Sequence, residues 1–121
     1  MPINLRAFTA DPTGVMDSRL ALQMAIDRAA TTGAQVFIPA GRYRIVWDRS
    51  APRVINVPGN VRIVGESQHS TVLKFEPNEY DFGVSGIDAI RVPGPYHLSI
   101  EQLTLQGPDA NTHAIGAFPA V

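Results

Sequence analysis

Cysteine is absent from the 121 residues, which excludes a disulfide framework and a cysteine-based metal site and leaves the redox compartment unreadable. Excess charge is missing too. Ten Lys and Arg stand against eleven Asp and Glu, for a net charge of −1. That balance gives no electrostatic ground for nucleic acid or an anionic membrane as partner. No apolar run approaches the ~20 residues a membrane-spanning helix needs. The opening Met1-Pro2-Ile3-Asn4-Leu5-Arg6 lacks the basic start and apolar core of a secretory signal, so such a signal, if the protein is secreted, lies outside this chain. The joints between apolar runs carry no Asn-Gly or Asp-Gly, the commonest hairpin dipeptides. Nucleotide-binding Gly-x-Gly-x-x-Gly, the Walker loop, His-Glu-x-x-His and Gly-x-Ser-x-Gly are also missing.

What is present suits a packed fold: 45% apolar and 17% charged residues, in a length of one domain or a piece of one. Ten Pro and ten Gly are spread along the chain as punctuation rather than gathered into a linker. Only Asp17 to Ala30 has helical period. Leu22, Ala25, Ile26 and Ala29 share one face with Ala21 and Met24 beside it, while Arg19, Gln23 and Asp27 line the other. Asp17 reads as N-cap and Gly33 as a left-handed C-terminal stop.

Short apolar runs follow: 36–38, 43–47, 54–57, 61–64, 72–75, 87–92, 98–105 and 113–118. Ile55-Asn56-Val57-Pro58-Gly59 returns as Ile90-Arg91-Val92-Pro93-Gly94, 35 residues later, with unequal spacings downstream. Short strands joined by bends and repeating loosely at a few tens of residues predict a solenoid of parallel strands rather than a sandwich. In Gln35 to Val46, Val36–Ile38 and Tyr43–Val46 read as strands on either side of a Pro39-Ala40-Gly41 bend, with Arg42, Tyr43 and Arg44 expected to face outward.

"DSRLALQMAID" (Asp17 to Asp27), "VFIPAGRY", "VRIVGES" and "STVLKF", in that order, resemble the N-terminal region of the pectate-lyase-like right-handed parallel β-helix superfamily. "SIEQLTLQG" (Ser99 to Gly107) resembles the next rung. One departure is visible, since the family often opens with Gly-Asp-Gly where this chain has Ala10-Asp11-Pro12-Thr13-Gly14. The resemblance implies an all-β, right-handed parallel β-helix with one N-terminal capping α-helix. Residues 1–33 are then the capping segment and 34–121 the first coils. In that family the helix plugs the end of the solenoid, where a terminal repeat has no neighbour to cover its edge and interior.

Three groups carry possible chemistry. The segment Glu76-Pro77-Asn78-Glu79-Tyr80-Asp81-Phe82 offers aromatics to stack on a sugar and acids to bond its hydroxyls, with Tyr80 and Asp81 the chief candidates. A solvated insertion explains it as well. Asp88, Arg91, Glu101 and Asp109 stand on or beside later strands, where stacked coils bring carboxylates to the ~5–10 Å spacing of glycosidases. Such acids also suit Ca²⁺, though nothing in their spacing demands a cofactor, and outward acids on a solenoid are commonly just polar surface. Asn111-Thr112-His113-Ala114-Ile115 resembles the Asn-Thr-Asp-Gly-Ile of polygalacturonase-type hydrolases, with His113 in place of the catalytic acid. The acid role does not carry over; a histidine there serves as a base, a hydroxyl partner or simply structure.

The resemblance implies the N-terminal segment of a polysaccharide-active protein, a lyase or glycoside hydrolase, outside the cell or on a cell or virion surface. Family enzymes build their sites on middle coils, so this chain is expected to be scaffold without a complete active site. The alternative is a non-enzymatic fibre, tailspike or adhesin module that binds surface glycans. A solenoid ending near Val121 is further expected to self-associate through its C-terminal coil, where Ile115 and Phe118 lie.

Overall fold

The computed structural model describes residues 2–47, 53–77 and 88–106. The structure is mostly strand. β1 (Ile3–Asn4) leads into a 3-10 turn (Leu5–Phe8), then α1 (Arg19–Thr32). Eight strands follow among the described residues: β2 (Val36–Ile38), β3 (Gly41–Trp47), β4 (Arg53–Asn56), β5 (Val61–Gly65), β6 (Thr71–Pro77), β7 (Asp88–Arg91), β8 (Leu98–Glu101) and β9 (Thr104–Gln106).

The chain visits three sheets in turn. The first sheet has order β1-β2-β5-β8, the second β3-β6-β9 and the third β4-β7, and every pairing is parallel. Parallel neighbours need crossovers, which explains the missing hairpin dipeptides. The loose sequence repeat is the register of the third sheet: Ile55 pairs with Ile90 and Asn56 with Arg91. Elsewhere Val61 pairs with Leu98 and Leu73 with Leu105, spacings of 37 and 32 residues. The repeat is loose because the bends differ in length while the strands stay in register.

Strand alternation sends one side chain of each pair inward. Val36 and Ile63 stack in the first sheet, Tyr43 and Leu73 in the second, and Ile55 and Ile90 in the third, each 5% exposed or less. Tyr43 is therefore interior, contrary to the outward expectation. It lies between Arg42 and Arg44, so period-2 alternation forces it to the opposite side. Its hydroxyl donates to the Pro39 carbonyl at 2.9 Å, which makes burial of the phenol affordable.

The corners explain the glycine at the end of β5. A Cβ on Gly65 would sit 2.3 Å from the Gln102 carbonyl oxygen and 2.8 Å from Leu103 Cβ. The next coil turns directly over it. Gln102, at φ 59°, makes that turn and divides the expected 98–105 run into β8 and β9.

α1 buries Ala21, Leu22, Ala25, Ile26 and Ala29 and packs against the 3-10 turn and strands β1 to β5. Its N-cap is Ser18, one residue beyond the expected Asp17. Ser18 is not a side-chain cap: its Oγ accepts the Asp11 N–H at 2.9 Å. Asp17 Oδ1 instead takes the Arg19 N–H at 2.9 Å and the Val46 N–H at 3.1 Å, joining the helix start to β3. Gly33 ends the helix at φ 78°, as expected. Met24, expected beside the buried face, is 47% exposed. The buried arc is narrower than the run of apolar residue types.

Candidate functional site

Several motif residues turn out to hold the coils together. The Gln23 side-chain amide donates to the Asn56 carbonyl at 2.7 Å and accepts the Asn56 N–H at 2.8 Å, clamping α1 to the end of β4. Glu66, just after β5, accepts the Ala40 N–H at 3.1 Å and so fastens the Pro39-Ala40 bend of the preceding coil. Buried Thr71 accepts the Glu66 N–H and donates to the Ile38 carbonyl. These side chains are committed to backbone groups and leave little for a ligand.

Two outward clefts lie on the coils, away from the outer face of α1. The first lies at the corner leading into the first sheet, with a volume of about 420 Å³, and is lined by Gln35, Asn60, Arg62, His97 and Ser99 among others. Asn60 Oδ1 accepts the His97 N–H at 2.9 Å, which ties successive corners together. On the face above, Arg62 Nε meets Glu101 Oε2 at 2.6 Å, with Ser99 Oγ 3.5 Å from the same oxygen. The Arg62 hydrogen bond holds the Glu101 carboxyl below its ordinary range. Glu101 is therefore an ionised acceptor near neutral pH, unsuited to donate a proton.

The second cleft is small, about 100 Å³, on the outer face of the second sheet, lined by Gly14, Arg42, Arg44, Lys74 and Glu76. Arg44 pairs in register with Lys74. Glu76 accepts from Arg44 Nε and lies 3.8 Å from Lys74 Nζ. Asp17 also acts on Arg44. Among the described residues three cations stand against two acids here, a setting for anionic groups. Glu76 thus belongs to β6 and this cleft rather than to the expected loop.

Of the residues singled out from sequence, Tyr80, Asp81, Asp109 and His113 lie outside the described residues, as does the rest of the 78–82 segment. Asp88 and Arg91 stand on β7, in register with Arg53 and Asn56. Glu101 stands on β8, opposite Val64. The acids on β7 and β8 therefore share no ladder. Among the described residues no group of three or more His, Cys, Asp and Glu gathers as a metal site. Sequence reading missed Arg62 and His97. Their signal was positional: Arg62 alternates with the buried Val61 and Ile63, and His97 directly precedes β8.

A family model described as rhamnogalacturonase A/epimerase, pectate lyase-like, matches residues 2–111. Mannuronan C5-epimerase AlgE2 of Azotobacter vinelandii is 34% identical over 119 residues, covering 93% of this chain and 11% of the epimerase. Alginate lyase 7 of the same organism is 31% identical over 115 residues, covering 93% and 13%. Among solved structures, the A-module of the A. vinelandii mannuronan C-5 epimerase AlgE6 superposes with a TM-score of 0.70 at 31% identity, covering 90% of this chain and 29% of the module. The chain thus spans little more than a tenth of these curated relatives and under a third of the module. With three parallel sheets visited in turn and the match over residues 2–111, the chain belongs to the rhamnogalacturonase A/epimerase, pectate-lyase-like family of parallel β-helix proteins.

Proposed function

We propose that this chain forms the opening coils of a polysaccharide-modifying β-helix protein whose substrate is an anionic uronan of the mannuronan type. The observation that carries the reading is 34% identity to a mannuronan C5-epimerase across 93% of the chain. In this reading the coil is right-handed, residues 1–33 close its first end through α1, and the remainder begins the glycan-bearing solenoid. The substrate is a polymer, so the parent protein works outside the cell or at a cell or virion surface.

The chemistry divides the labour. Epimerisation or elimination at C5 of a uronate removes a proton α to a carboxylate, which calls for cations on that carboxylate and a base at C5. Arg42, and the guanidinium edges of Arg44 and Arg62 that Glu76 and Glu101 leave open, can receive carboxylates. The described residues supply no acid/base pair to go with them, since Glu101 is spent on Arg62. The described coils are accordingly scaffold and glycan contact.

Incubation with mannuronan, pectate and bacterial capsule glycans tests this division. Unsaturated ends, reducing ends and inverted C5 centres, the last by proton NMR, should all stay at blank level. Affinity electrophoresis at low salt should show retardation by mannuronan and not by a neutral glucan. Turnover by the chain alone would overturn the scaffold assignment; equal mobility in both gels would overturn the uronan assignment.

A further inference from the structure

The coil through which self-association is expected from sequence, residues 107–121, lies outside the described residues. The corner cleft leading into the first sheet lies wholly within them, and its lining recurs on three successive coils. Arg62 pairs with Ser99, and Gln35 stands just before Val36, which pairs with Ile63, so Gln35, Arg62 and Ser99 stack one above the other. Val61 and Leu98, both buried, line the cleft from the core side. Its volume of about 420 Å³ falls within the ~300–1,000 Å³ of small-molecule sites, whereas the Arg42 cleft, about 100 Å³, has room for a single anionic group rather than a sugar. Elsewhere on these coils Gln23, Glu66 and Thr71 are committed to backbone groups. Here the polar side chains are not. Among the described residues the Gln35 side-chain amide, the Asn60 NH2 group and the His97 ring have no hydrogen-bond partner, although the His97 N–H fixes Asn60 Oδ1. Glu101 takes Arg62 through Nε alone, so both Nη groups stay unbonded.

Given the uronan reading above, on which this rests, we propose that the corner cleft is a glycan subsite that holds a short stretch of uronan lengthwise along the coil axis, with one carboxylate on the Nη edge of Arg62. Three coils at ~4.8 Å spacing make a track of about 10 Å, room for about two sugar rings. Each uronate ring offers hydroxyls and a single carboxylate. The Gln35 and Asn60 amides, the Ser99 hydroxyl and the His97 imidazole are donors and acceptors suited to the hydroxyls. Arg62 is the one permanent cation among the lining residues and suits the carboxylate. A run of phosphates would instead require several cations. Glu101 sets the strength of the site. Its carboxylate holds Arg62 in place but repels the incoming one, so binding is weak and falls with added salt.

Fluorescence anisotropy of a labelled mannuronate oligosaccharide and of its carboxyl-reduced, neutral counterpart, titrated with the 121-residue chain at low salt, tests this. Mannuronate should bind, and the neutral form should bind more weakly. Arg62→Ala should weaken mannuronate binding by about tenfold or more, the scale of a charge-assisted hydrogen bond. Gln35→Ala and His97→Ala should each weaken it by about threefold, with melting temperatures unchanged because neither side chain ties the coils. Glu101→Gln keeps an acceptor for Arg62 Nε and removes the repelling charge. It should tighten mannuronate binding by about threefold and leave the neutral form unchanged, a gain that damage to the fold cannot produce. Arg42→Ala, at the other cleft, should cost less than Arg62→Ala. Mannuronate binding that survives Arg62→Ala and His97→Ala intact would overturn the subsite and leave the uronan reading standing. No binding of mannuronate, or equal binding of the neutral form, would overturn that reading and the subsite with it.

Discussion

Asp11 stands in a loop without regular structure, yet its carboxylate takes three hydrogen bonds. Oδ1 accepts the Thr13 N–H at 2.9 Å and the Thr13 hydroxyl at 2.6 Å, and Oδ2 accepts the Met16 N–H at 2.8 Å. These bonds, the Thr13 hydroxyl first, lower its pKa to about 2. A carboxyl of ordinary pKa in the unfolded chain binds its proton more readily than this one does folded. Its stabilising effect is therefore complete above about pH 4 and is lost as pH falls toward 2. Asp11→Asn should melt lower than the parent at pH 6, and the gap should close by pH 2. A gap that does not change with pH would show that the ionised carboxylate is not what orders the loop. The departure of Ala10–Gly14 from the family opening was visible in the sequence. Its compensation by an Asp-centred turn was not, because three acceptor bonds converging on one side chain depend on how the loop closes.

At the scale of the element, α1 shows where a pattern of residue types stops being informative. Leu20, Met24 and Ile26 are all apolar, but Ile26 is 1% exposed and Leu20 63%. Period alone identified the buried face through Leu22, Ala25, Ile26 and Ala29. It assigned Met24 wrongly, since it could not say how wide an arc the coil beneath would cover. The same substitution at both positions separates the two. Ile26→Asp sets an unpaired charge in an apolar seam and should cost several kcal/mol, comparable with the ~5–15 kcal/mol that holds a domain folded. Leu20→Asp changes a solvent-facing side chain in the first turn, where an acid also favours the helix dipole, and should change stability by less than about 0.5 kcal/mol. Thermal melts at low protein concentration measure both. Comparable losses would mean that α1 is rotated relative to the coil. The bend at Pro39-Ala40 was legible from its residues. The Glu66 carboxylate that fastens it from the next coil was not, since 26 residues separate the partners.

For the whole molecule, the legible property was parallel stacking, read from the 55–59 and 90–94 repeat and from family resemblance. The sites were less legible, because a ladder carries residues into register according to bend lengths, and unequal bends shift which outward side chains meet. Arg62 and Glu101, 39 residues apart in sequence, pair in space, while Asp88 and Glu101, 13 apart, lie on different sheets. Stacked coils also predict how stability is distributed. In such a solenoid each strand gains from the neighbours on its two sides, so strands with two partners open less readily than those with one. β2 lies between β1 and β5, β5 between β2 and β8, and β6 between β3 and β9. Amide exchange at neutral pH should therefore be slowest along 36–38, 61–65 and 71–76, centred on the buried Val36, Ile63, Leu73 and Phe75. It should be at least about tenfold faster along β9, where Leu105 is only partly buried. Equal protection of β6 and β9 would mean either that the chain opens as one unit or that further residues cover β9. Repeating the measurement on Phe118→Lys tells these apart: loss of β9 protection alone would place a covering coil there, whereas no change would leave a single cooperative unit and refute graded stacking.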